Sequence, residues 1–450
     1  MFPSAFSRRS FLVSSSAAVA SGLAGAGRAL TADDRPPVTN PRSTSFDARS
    51  EPNWDERLTI TVGSSGADIV GASHKAVQAA VDYVAQLGGG TVHLLPGKYV
   101  FRGAVHLRSN VRILGSGDDA IITKIPSRSS KLLADSDWYD QEITLKPGHG
   151  FEVGDSVCLR FKNVHDGGAE VVKRRLVARS GDRFKLDRPL KENAWEQGDP
   201  VAEALFPLLT GEEIERIVIE NVSFDGDRAN NANLNGNYAG CVFLQDCRDI
   251  QFRRVNARNY NGDGLSWQIC HDVIVEDCQS TGHAGLGLHP GSGSQRPLIR
   301  RNKLTDNQIG IFFCWGVKYG LAEDNVCERN KVGISIGHRD TDNIIRNNRV
   351  VDSGDVGVLF RPERGPSFCA HRNLIERNTL VNNGGDAAAA IDVQGGTEQV
   401  TIRQNTIEET RGPAKRMGIR LGELTRDITL ADNSVTGFAR DIVRMTKDKA

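Results

Sequence analysis

A short motif that repeats through the second half of the chain restricts the folds available to it. The motif reads small residue, apolar, any residue, apolar, and its copies begin at Gly240, Gly264, Gly285, Gly310, Gly333, Gly357, Ala388 and Gly418. A second motif, apolar-x-x-Asn, ends at Asn302, Asn325, Asn348, Asn378, Asn405 and Asn433, with weaker copies ending at Val222, Val255 and Cys278. From residue 255 these markers are spaced by 23, 24, 23, 23, 30, 27 and 28 residues. A period of this length predicts a solenoid whose stacked units share one core.

The residue types within each repeat indicate strands rather than helices. Apolar positions alternate with a period of two, and Asn, Gly and Asp occupy the joints, where a positive φ or side-chain bonding to the backbone is needed. The dense leucine spacing of a leucine-rich repeat is lacking. We therefore predict an all-β fold, a parallel β-helix with two or three short strands per coil. Its inward Asn column should hydrogen-bond along the stack and satisfy backbone groups at each bend.

An amphipathic segment precedes the repeats. Apolar residues at helical spacing predict a helix within residues 68–87, which the three glycines at 88–90 end. At the end of a β-helix such a helix covers the open core and blocks edge pairing.

Three runs near this helix resemble the opening of the pectate lyase superfamily, which includes the polygalacturonases. They are AVQAAV at 76–81, GGGTVHLLPGKY at 88–99 and LRSNVRILGSG at 107–117. The resemblance implies a right-handed parallel β-helix. It does not specify a reaction, because this fold hosts lyases, hydrolases, epimerases and non-catalytic proteins.

Residues 133–210 interrupt the repeat with short apolar runs and turns such as Pro147-Gly148, which predict a small antiparallel β insertion. The expected organisation is a signal peptide at 1–30, a linker at 31–55, a cap helix with the first coils at 56–132, the insertion at 133–210 and the main β-helix at 211–450.

The N-terminus carries an arginine pair, Arg8 and Arg9, followed by a small, weakly apolar run to about Ala26 and an Ala-x-Ala ending. This pattern resembles a twin-arginine export signal and predicts a periplasmic or secreted protein. No other segment is long and apolar enough to span a membrane. Basic and acidic residues number 56 each, so no net field attracts nucleic acid.

Eight cysteines in an exported chain allow disulfides. Cys241 falls in the inward apolar column and Cys278 in the Asn column, where cysteine packs as a small buried residue. The spacing of Cys270 and Cys278 allows a pair without establishing one. No Cys-x-x-Cys motif supports a zinc ribbon.

Candidate site residues follow the strands of the repeat. The fourth position after the small residue of each motif faces outward, and the next position lies just past the strand. These positions and their neighbours supply the catalytic candidates Asp263, His289, His338 and Arg361, and the substrate-binding candidates Tyr260, Gln268, Trp315, Arg339, Asp340 and Glu363. Because equivalent residues of adjacent coils lie about 4.7–4.9 Å apart, a linear polymer along the axis can contact one column over several coils. We therefore predict one shared site at this edge, with Trp315 and Tyr260 stacking on sugar rings.

Elimination on a uronate suits the basic members of this set. The reaction needs a base for the proton α to the carboxyl group and a cation for the developing enolate. His289 or His338 can be the base, and Arg361 or Arg339 can hold the carboxylate through a bidentate pair.

Hydrolysis suits the acidic members instead, because it uses two carboxyl groups about 5–5.5 Å or 6.5–9.5 Å apart. Asp263 with Asp340 or Glu363 is the predicted pair.

The polygalacturonase branch offers a partial match to hydrolysis. Asn261-Gly262-Asp263 resembles its Asn-x-Asp motif, Gly337-His338 resembles its Gly-His-Gly motif, and Arg361 resembles the arginine of its Arg-x-Lys motif. The Asp-Asp pair of that branch is missing between Asp263 and His338, and no lysine follows at 363. We therefore favour elimination on a uronate-bearing polysaccharide, with inverting hydrolysis as the alternative.

Cofactors and partners are less constrained. Asp225-Gly226-Asp227 and Asp340-Thr341-Asp342 present oxygens that suit Ca²⁺, or are turn aspartates that bond their own backbone; no other cofactor is expected. The expected partner is a polysaccharide or oligosaccharide, and the chain is expected to be a monomer or a homotrimer. A non-catalytic β-helix that binds glycans or supports a cell-surface assembly is the other interpretation.

Overall fold

Parallel strands stacked coil upon coil form most of the chain in this computed structural model, which describes residues 54–363, 365 and 367–446. Two parallel sheets build the coils, and residues 129–203, which interrupt the coils in sequence, form a third, antiparallel sheet. The predicted β-helix with an antiparallel insertion is therefore confirmed. The predicted export signal lies outside the described residues.

The long sheet has 22 strands and covers two faces of each coil. Its early strands are Thr59–Gly63, Ile69–Val70, Gly90–Leu94, Gly97–Phe101, Val111–Lys124 and Glu215–Asp225. The later strands come in pairs, one pair per coil. They are Arg248–Arg253 with Asn256–Arg258, His271–Glu276 with Gln279–Thr281, Leu298–Arg300 with Lys303–Thr305, Leu321–Glu323 with Val326–Glu328, Ile344–Arg346 with Arg349–Val351, Leu374–Glu376 with Thr379–Val381, Thr401–Arg403 with Thr406–Glu408, and Thr429–Ala431 with Ser434–Thr436.

The second sheet has 11 parallel strands in chain order and forms the third face. Its strands are Val105–His106, Leu209–Glu212, Gly240–Gln245, Asp263–Gln268, Leu286–Gly291, Ile309–Phe312, Val332–Ile336, Val356–Phe360, Ala389–Val393, Met417–Leu421 and Arg440–Arg444. Three motif copies are displaced from their predicted register, among them the copy that carries His289. Val242 pairs with Leu265, so that copy begins one residue later than predicted; Ile391 pairs with Val358, so that copy begins two residues later.

Inward side chains of both sheets merge into one apolar core. At the first and third positions after the small residue, large side chains such as Trp267, Phe313 and Phe360 are fully buried. Each contributes on the order of 2–3 kcal/mol of burial free energy, which explains why the motif repeats in every coil.

The predicted Asn column runs along the bends of the long sheet. The side-chain oxygen of Asn325 accepts from the backbone N–H of Asn302 at 3.0 Å and from its amide group at 2.9 Å. Asn325 in turn donates to Asn348 and to the Ile299 carbonyl, each at 2.9 Å. Cys278 occupies this column as predicted, and its N–H donates to Asn302 at 2.9 Å. The column thus satisfies buried backbone groups that the bends leave without a strand partner.

An α-helix, His74–Gln86, covers the first coils. The buried face of this helix, Val77, Ala80, Val81 and Val84, joins the main core, as the helical spacing predicts. Three short 3-10 turns lie at Trp54–Glu56, Glu196–Gly198 and Arg228–Asn230. No helix in the described part of the chain is long and apolar enough to cross a membrane.

The inserted sheet has six antiparallel strands, in the spatial order Ser129–Lys131, Val201–Glu203, Ser156–Lys162, Ala169–Ser180, Arg183–Leu186 and Glu142–Thr144. It has its own apolar cluster, centred on fully buried Phe184, Leu159 and Leu176. The insertion is thus a folded sheet with its own core.

All eight cysteines are free thiols. Cys270 hydrogen-bonds with Cys247, its neighbour in the adjacent coil, and the Cys278 thiol donates to the Glu276 carbonyl at 3.2 Å. The structure therefore does not contain the Cys270–Cys278 pair.

Candidate functional site

Asp263 and His289 form a buried pair on the outer face of the second sheet. Oδ2 of Asp263 lies 2.8 Å from Nδ1 of His289, and Oδ1 accepts the N–H of Leu286 at 2.9 Å. Both residues are only 2% exposed. Because an ionised carboxylate only accepts hydrogen bonds, this contact assigns the ring proton to Nδ1 and leaves the lone pair on Nε2.

Nε2 of His289 is buried and has no hydrogen-bond partner among the described residues. The Phe312 ring lies beside the imidazole, with centroids 5.4 Å apart. An imidazole that is oriented through Nδ1 and unpartnered at Nε2 has the arrangement of a general base.

Ser266 lies beside the pair but is not among the predicted site residues. It is the register partner of His289; its hydroxyl donates to the Gly236 carbonyl at 2.8 Å and lies 3.3 Å from Nδ1 of His289. In a Ser-His-Asp triad the serine and the carboxylate use different ring nitrogens. Here they share one, so Ser266 is not arranged as a nucleophile.

The register of His289 differs from the prediction. Leu288 pairs with Leu265, so this motif copy begins at Gly287 rather than Gly285. His289 therefore takes the second position, in the middle of the strand, and not the fourth position at its end. The prediction was wrong here because both glycines are followed by leucine, and the sequence alone fits either.

Arg361 lies on the other side of Phe312, with its guanidinium carbon 4.2 Å from the ring centroid. It donates to the Ser335 hydroxyl at 2.6 Å and to the Phe313 carbonyl at 2.7 Å. Phe312 thus contacts both His289 and Arg361, and the structure brings these two predicted catalytic residues to the same face.

Asp340 is fully buried and caps a turn. Its carboxylate accepts the N–H groups of Gly316, Val317 and Gly337 at 2.8–2.9 Å and lies 3.3 Å from Nη2 of Arg361. Burial raises the pKa of Asp340 to about 7, against the opposing influence of Arg361 and of the backbone donors. Its contacts position Arg361 and the turn.

An aromatic cluster lies just past the second-sheet strands. Trp315, 39% exposed, has its ring 5.4 Å from that of His338 and 5.3 Å from that of Phe368. Arg339 lies 3.9 Å above the Phe368 ring and donates to the Ser367 hydroxyl at 2.8 Å. Trp315 thus offers an exposed ring face, whereas His338 belongs to this cluster and not to the Asp263 pair.

Tyr260 is wrongly predicted as a sugar-stacking residue. Its ring is 3% exposed, and its hydroxyl donates to the Phe206 carbonyl at 2.8 Å inside the core. The chain places this side chain inward just before the strand of Asp263.

Gln268 and Glu363 have local contacts. Gln268 is buried, and its amide donates to the Ser266 hydroxyl at 3.4 Å. Its side chain therefore lies beside the Asp263–His289 pair and does not face solvent. Glu363 accepts the N–H of Gly396 at 2.8 Å and supports the turn of the following coil.

The carboxyl pair predicted for hydrolysis is not formed. Asp340 follows the strand three coils beyond that of Asp263, and Glu363 follows the strand four coils beyond. At about 4.7–4.9 Å per coil, even three coils exceed about 14 Å, against the roughly 6.5–9.5 Å of an inverting pair. The pairing of Asp263 with either residue was therefore wrong.

The aspartates considered for Ca²⁺ bond protein donors. Asp225 accepts from Arg258 at 3.0 Å and from the N–H of Asp227 at 3.1 Å, and Asp342 accepts from Nε and Nη2 of Arg372 at 2.8 and 2.9 Å. No cluster of three His, Cys, Asp or Glu residues suited to a metal occurs in the described chain. These contacts favour turn and ion-pair roles.

A loop at residues 231–239 covers the Asp263–His289 pair; we call it the covering loop. A Cβ atom added to Gly236 would overlap the Asp263 carboxylate, so only glycine fits this approach. Two cations of the inserted sheet hold the loop: Arg160 donates to the Asn233 carbonyl at 3.0 Å, and Lys173 to the Tyr238 carbonyl at 2.6 Å. The inserted sheet thus reaches the site through the loop, a contact that no repeat in the sequence signals.

The family model described as "Right handed beta helix region" matches residues 240–435. The chain is a right-handed parallel β-helix. The right-handed parallel β-helix that the sequence resemblance implied is thereby confirmed. No curated protein sequence matches the chain.

Several solved β-helix structures are similar to this one. The A-module of mannuronan C-5 epimerase AlgE4 from Azotobacter vinelandii has 16% identity and a TM-score of 0.49, over 83% of this chain and 96% of that one. The Pseudomonas phage phi297 tailspike gp61 has 11% identity and a TM-score of 0.40, over 83% and 70%. The exopolygalacturonase from Thermotoga maritima has 10% identity and a TM-score of 0.44, over 80% and 87%. At these identities the likeness concerns the fold alone.

Proposed function

We propose that this β-helix is an exported enzyme that cleaves a uronate-bearing polysaccharide by β-elimination. The observation that carries the proposal is the Asp263–His289 pair, with its unpartnered Nε2. In this reaction Nε2 takes the proton from the carbon next to the carboxyl group. The electron pair of the broken carbon–hydrogen bond forms a carbon–carbon double bond. The glycosidic oxygen leaves from the neighbouring carbon with its bonding pair and becomes a hydroxyl group by taking a proton from the imidazolium or from solvent.

Asp263 makes the imidazole a competent base. It holds the ring through Nδ1 and compensates the positive charge that His289 acquires in a buried place, where an isolated charge is costly. A positioned general base contributes about 10²–10⁴-fold to a rate. Asp263 is a positioning residue in this scheme, and His289 is the catalytic residue.

Positive charge and a stacking surface lie on the same face. Arg361, across Phe312 from His289, is the cation assigned to the developing enolate, and its 3.3 Å contact with Asp340 is the longest of its hydrogen bonds given above. Trp315 supplies an exposed aromatic face for a neighbouring sugar ring. In this proposal the polysaccharide lies along the coil axis from the pair towards Trp315.

Catalysis at His289 requires the covering loop to open. His289 is 2% exposed, so the loop has to move before a sugar can reach Nε2. Closure over a bound sugar would exclude water from the base and strengthen the charge interactions there.

A non-catalytic glycan-binding β-helix is the second candidate, and the same burial favours it. If the covering loop stays closed, the pair is a structural element of the coil, and Trp315 with its neighbours remains as a binding surface. Export in either case rests on the sequence of residues 1–30.

The test uses polygalacturonate, mannuronan and a neutral glucan as substrates for the full chain. Ultraviolet absorbance reports unsaturated uronate, a reducing-sugar assay reports any cleavage, and deuterium uptake from heavy water reports proton removal. We expect absorbance and deuterium uptake on a uronate polymer, both lost in His289→Ala and kept in His165→Ala, which changes an exposed histidine.

Two other results would contradict elimination. New reducing ends without new absorbance would show that the enzyme hydrolyses the polymer. Binding of the polymer without cleavage or deuterium uptake would establish the binding protein.

A further inference from the structure

A cavity of about 390 Å³ lies between the inserted sheet and the first coils of the second sheet. His106, Thr210 and Phe243 of the second sheet line one side, and Lys173 and Arg175 of the inserted sheet line the other. The cavity is therefore built by two parts of the chain that are distant in sequence.

The lining of this cavity has an excess of positive charge. Five basic side chains, Arg108, Lys173, Arg174, Arg175 and Arg188, meet two acidic ones, Asp187 and Glu212, a net charge of +3. Nε of Arg174 already donates a hydrogen bond to the Pro189 carbonyl at 3.0 Å. Arg108 is paired with Asp82 at 2.9 Å. Arg175 and Arg188 remain, together with Lys173, whose Nζ uses one of its three N–H groups on the Tyr238 carbonyl at 2.6 Å.

Arg175 and Arg188 are incompletely compensated by their acidic neighbours. Arg175 lies 3.6 Å from Asp187, and its buried Nε has no hydrogen-bond partner among the described residues; the same holds for Nε2 of His106. Arg188 lies 3.6 Å from Glu212, beyond hydrogen-bond distance. Burial lowers the pKa of Lys173 to about 8 and that of His106 to about 4, which reflects the cost of cationic charge in this place. An anion in the cavity would compensate this charge and give the open donors a partner.

The cavity lies on the same face as the proposed catalytic pair. Phe243 pairs with Ser266, and Ser266 pairs with His289, so the cavity wall is two coils, or about 9–10 Å, from the base. Lys173 also lies 4.0 Å above the Phe243 ring and holds the covering loop through Tyr238. A polymer along the axis would reach both places.

We propose that this cavity is an anion subsite that binds a carboxylate of the glycan two coils away from the sugar at His289, with Lys173, Arg175 and Arg188 as donors. The identity of the glycan rests on the proposed function. Inorganic phosphate offers the same anionic oxygens, so the test separates the two sources.

Isothermal titration calorimetry on the full chain tests the subsite. All variants carry His289→Ala, so that the substrate stays intact, and the probes are a hexagalacturonate, a hexamannuronate, their carboxyl-reduced forms and inorganic phosphate. Arg188→Gln is compared with Arg183→Gln, because the two arginines are 52% and 53% exposed and each faces one glutamate, at 3.6 and 3.8 Å. Arg175→Gln is a second variant in the cavity, and thermal denaturation confirms that each variant folds.

We expect Arg188→Gln and Arg175→Gln each to weaken binding of a hexauronate about tenfold, with Arg183→Gln unchanged and the carboxyl-reduced forms binding weakly to all variants. Equal affinity in the Arg188 and Arg183 variants, or no binding of either hexauronate, would overturn the subsite. Binding of phosphate alone would assign the cavity to a free anion and would overturn its role in glycan recognition. Failure of the proposed elimination would appear separately, as hexauronate binding that depends on Arg188 without any turnover by the unaltered chain.

Discussion

The imidazole of His289 and the carboxylate of Asp263 are joined by a buried 2.8 Å hydrogen bond between adjacent coils, although the residues are 26 positions apart. Asp263→Asn keeps the shape but removes the charge that stabilises the imidazolium. We expect the turnover number on a uronate polymer to fall about 10²–10⁴-fold with little change in affinity. Steady-state kinetics with calorimetry measure both quantities. Asp246→Asn, at an exposed turn, is the control, and unchanged turnover in Asp263→Asn would remove Asp263 from the mechanism.

Gly236 tests the covering loop. A Cβ atom at this residue would overlap the carboxylate of Asp263, whereas a Cβ at Gly354 would meet no atom closer than 3.7 Å. We expect Gly236→Ala to displace the loop and to speed modification of His289 by diethyl pyrocarbonate several-fold, measured by mass spectrometry. Gly354→Ala should leave the rate as it is. Equal rates in the two variants would show that the loop does not cover His289 in solution.

Asn325 tests the Asn column. Asn325→Ala leaves the buried N–H of Asn302 and the carbonyl of Ile299 without their side-chain partner. At about 1–3 kcal/mol for each of these two unsatisfied groups, we expect the free energy of unfolding to fall by roughly 2–6 kcal/mol. Urea denaturation measures it, with Lys303→Ala, an exposed change in the preceding coil, as the reference. A similarly small effect of both changes would contradict the role of the column.

Lys124 is buried in the core, with Nζ 4.4 Å from the centroid of the Phe206 ring. Burial lowers its pKa from 10.5 to about 7, so the unfolded chain binds one more proton than the folded chain between these values, and stability rises with pH across that window. We expect Lys124→Met to stabilise the fold by roughly 3 kcal/mol at and below pH 7, after allowance for the lost cation–π contacts.

The gain from Lys124→Met should shrink as the pH rises from 7 to above 10.5, where lysine becomes neutral in both states. Thermal denaturation across this pH range measures it, and Lys98→Met, at an exposed position of a neighbouring strand, is the control. A gain that is independent of pH would contradict the burial of a charge.

The features that recur in every coil could be predicted from the sequence. The Asn column, the inward apolar positions and the cap helix follow from local patterns, because each coil meets the same packing demand as its neighbour. The register of His289 could not be predicted, since Gly285 and Gly287 fit the motif equally well. Ser266 could have been predicted as a residue beside the site, because it occupies the outward middle position of the strand that begins at Asp263.

Contacts made outside the repeat leave no periodic signal. Lys173 holds the covering loop at Tyr238, 65 residues away, and the inserted sheet that carries it packs on coils whose sequence gives no sign of the contact. The cavity beside Lys173 was therefore not predictable, even though the insertion itself was. The prediction for Tyr260 was wrong for a related reason, because its inward side chain bonds to Phe206, which belongs to another segment of the chain.

The Asn column has a consequence for how such a chain changes length. Asn302, Asn325 and Asn348 offer the same donors and acceptors to the coil before and the coil after. Duplication or deletion of one 23-residue unit between them rejoins identical bonding partners and leaves no orphaned group. The surface proposed to bind the glycan can therefore grow or shrink in whole-coil steps over evolution, while His289 stays in place.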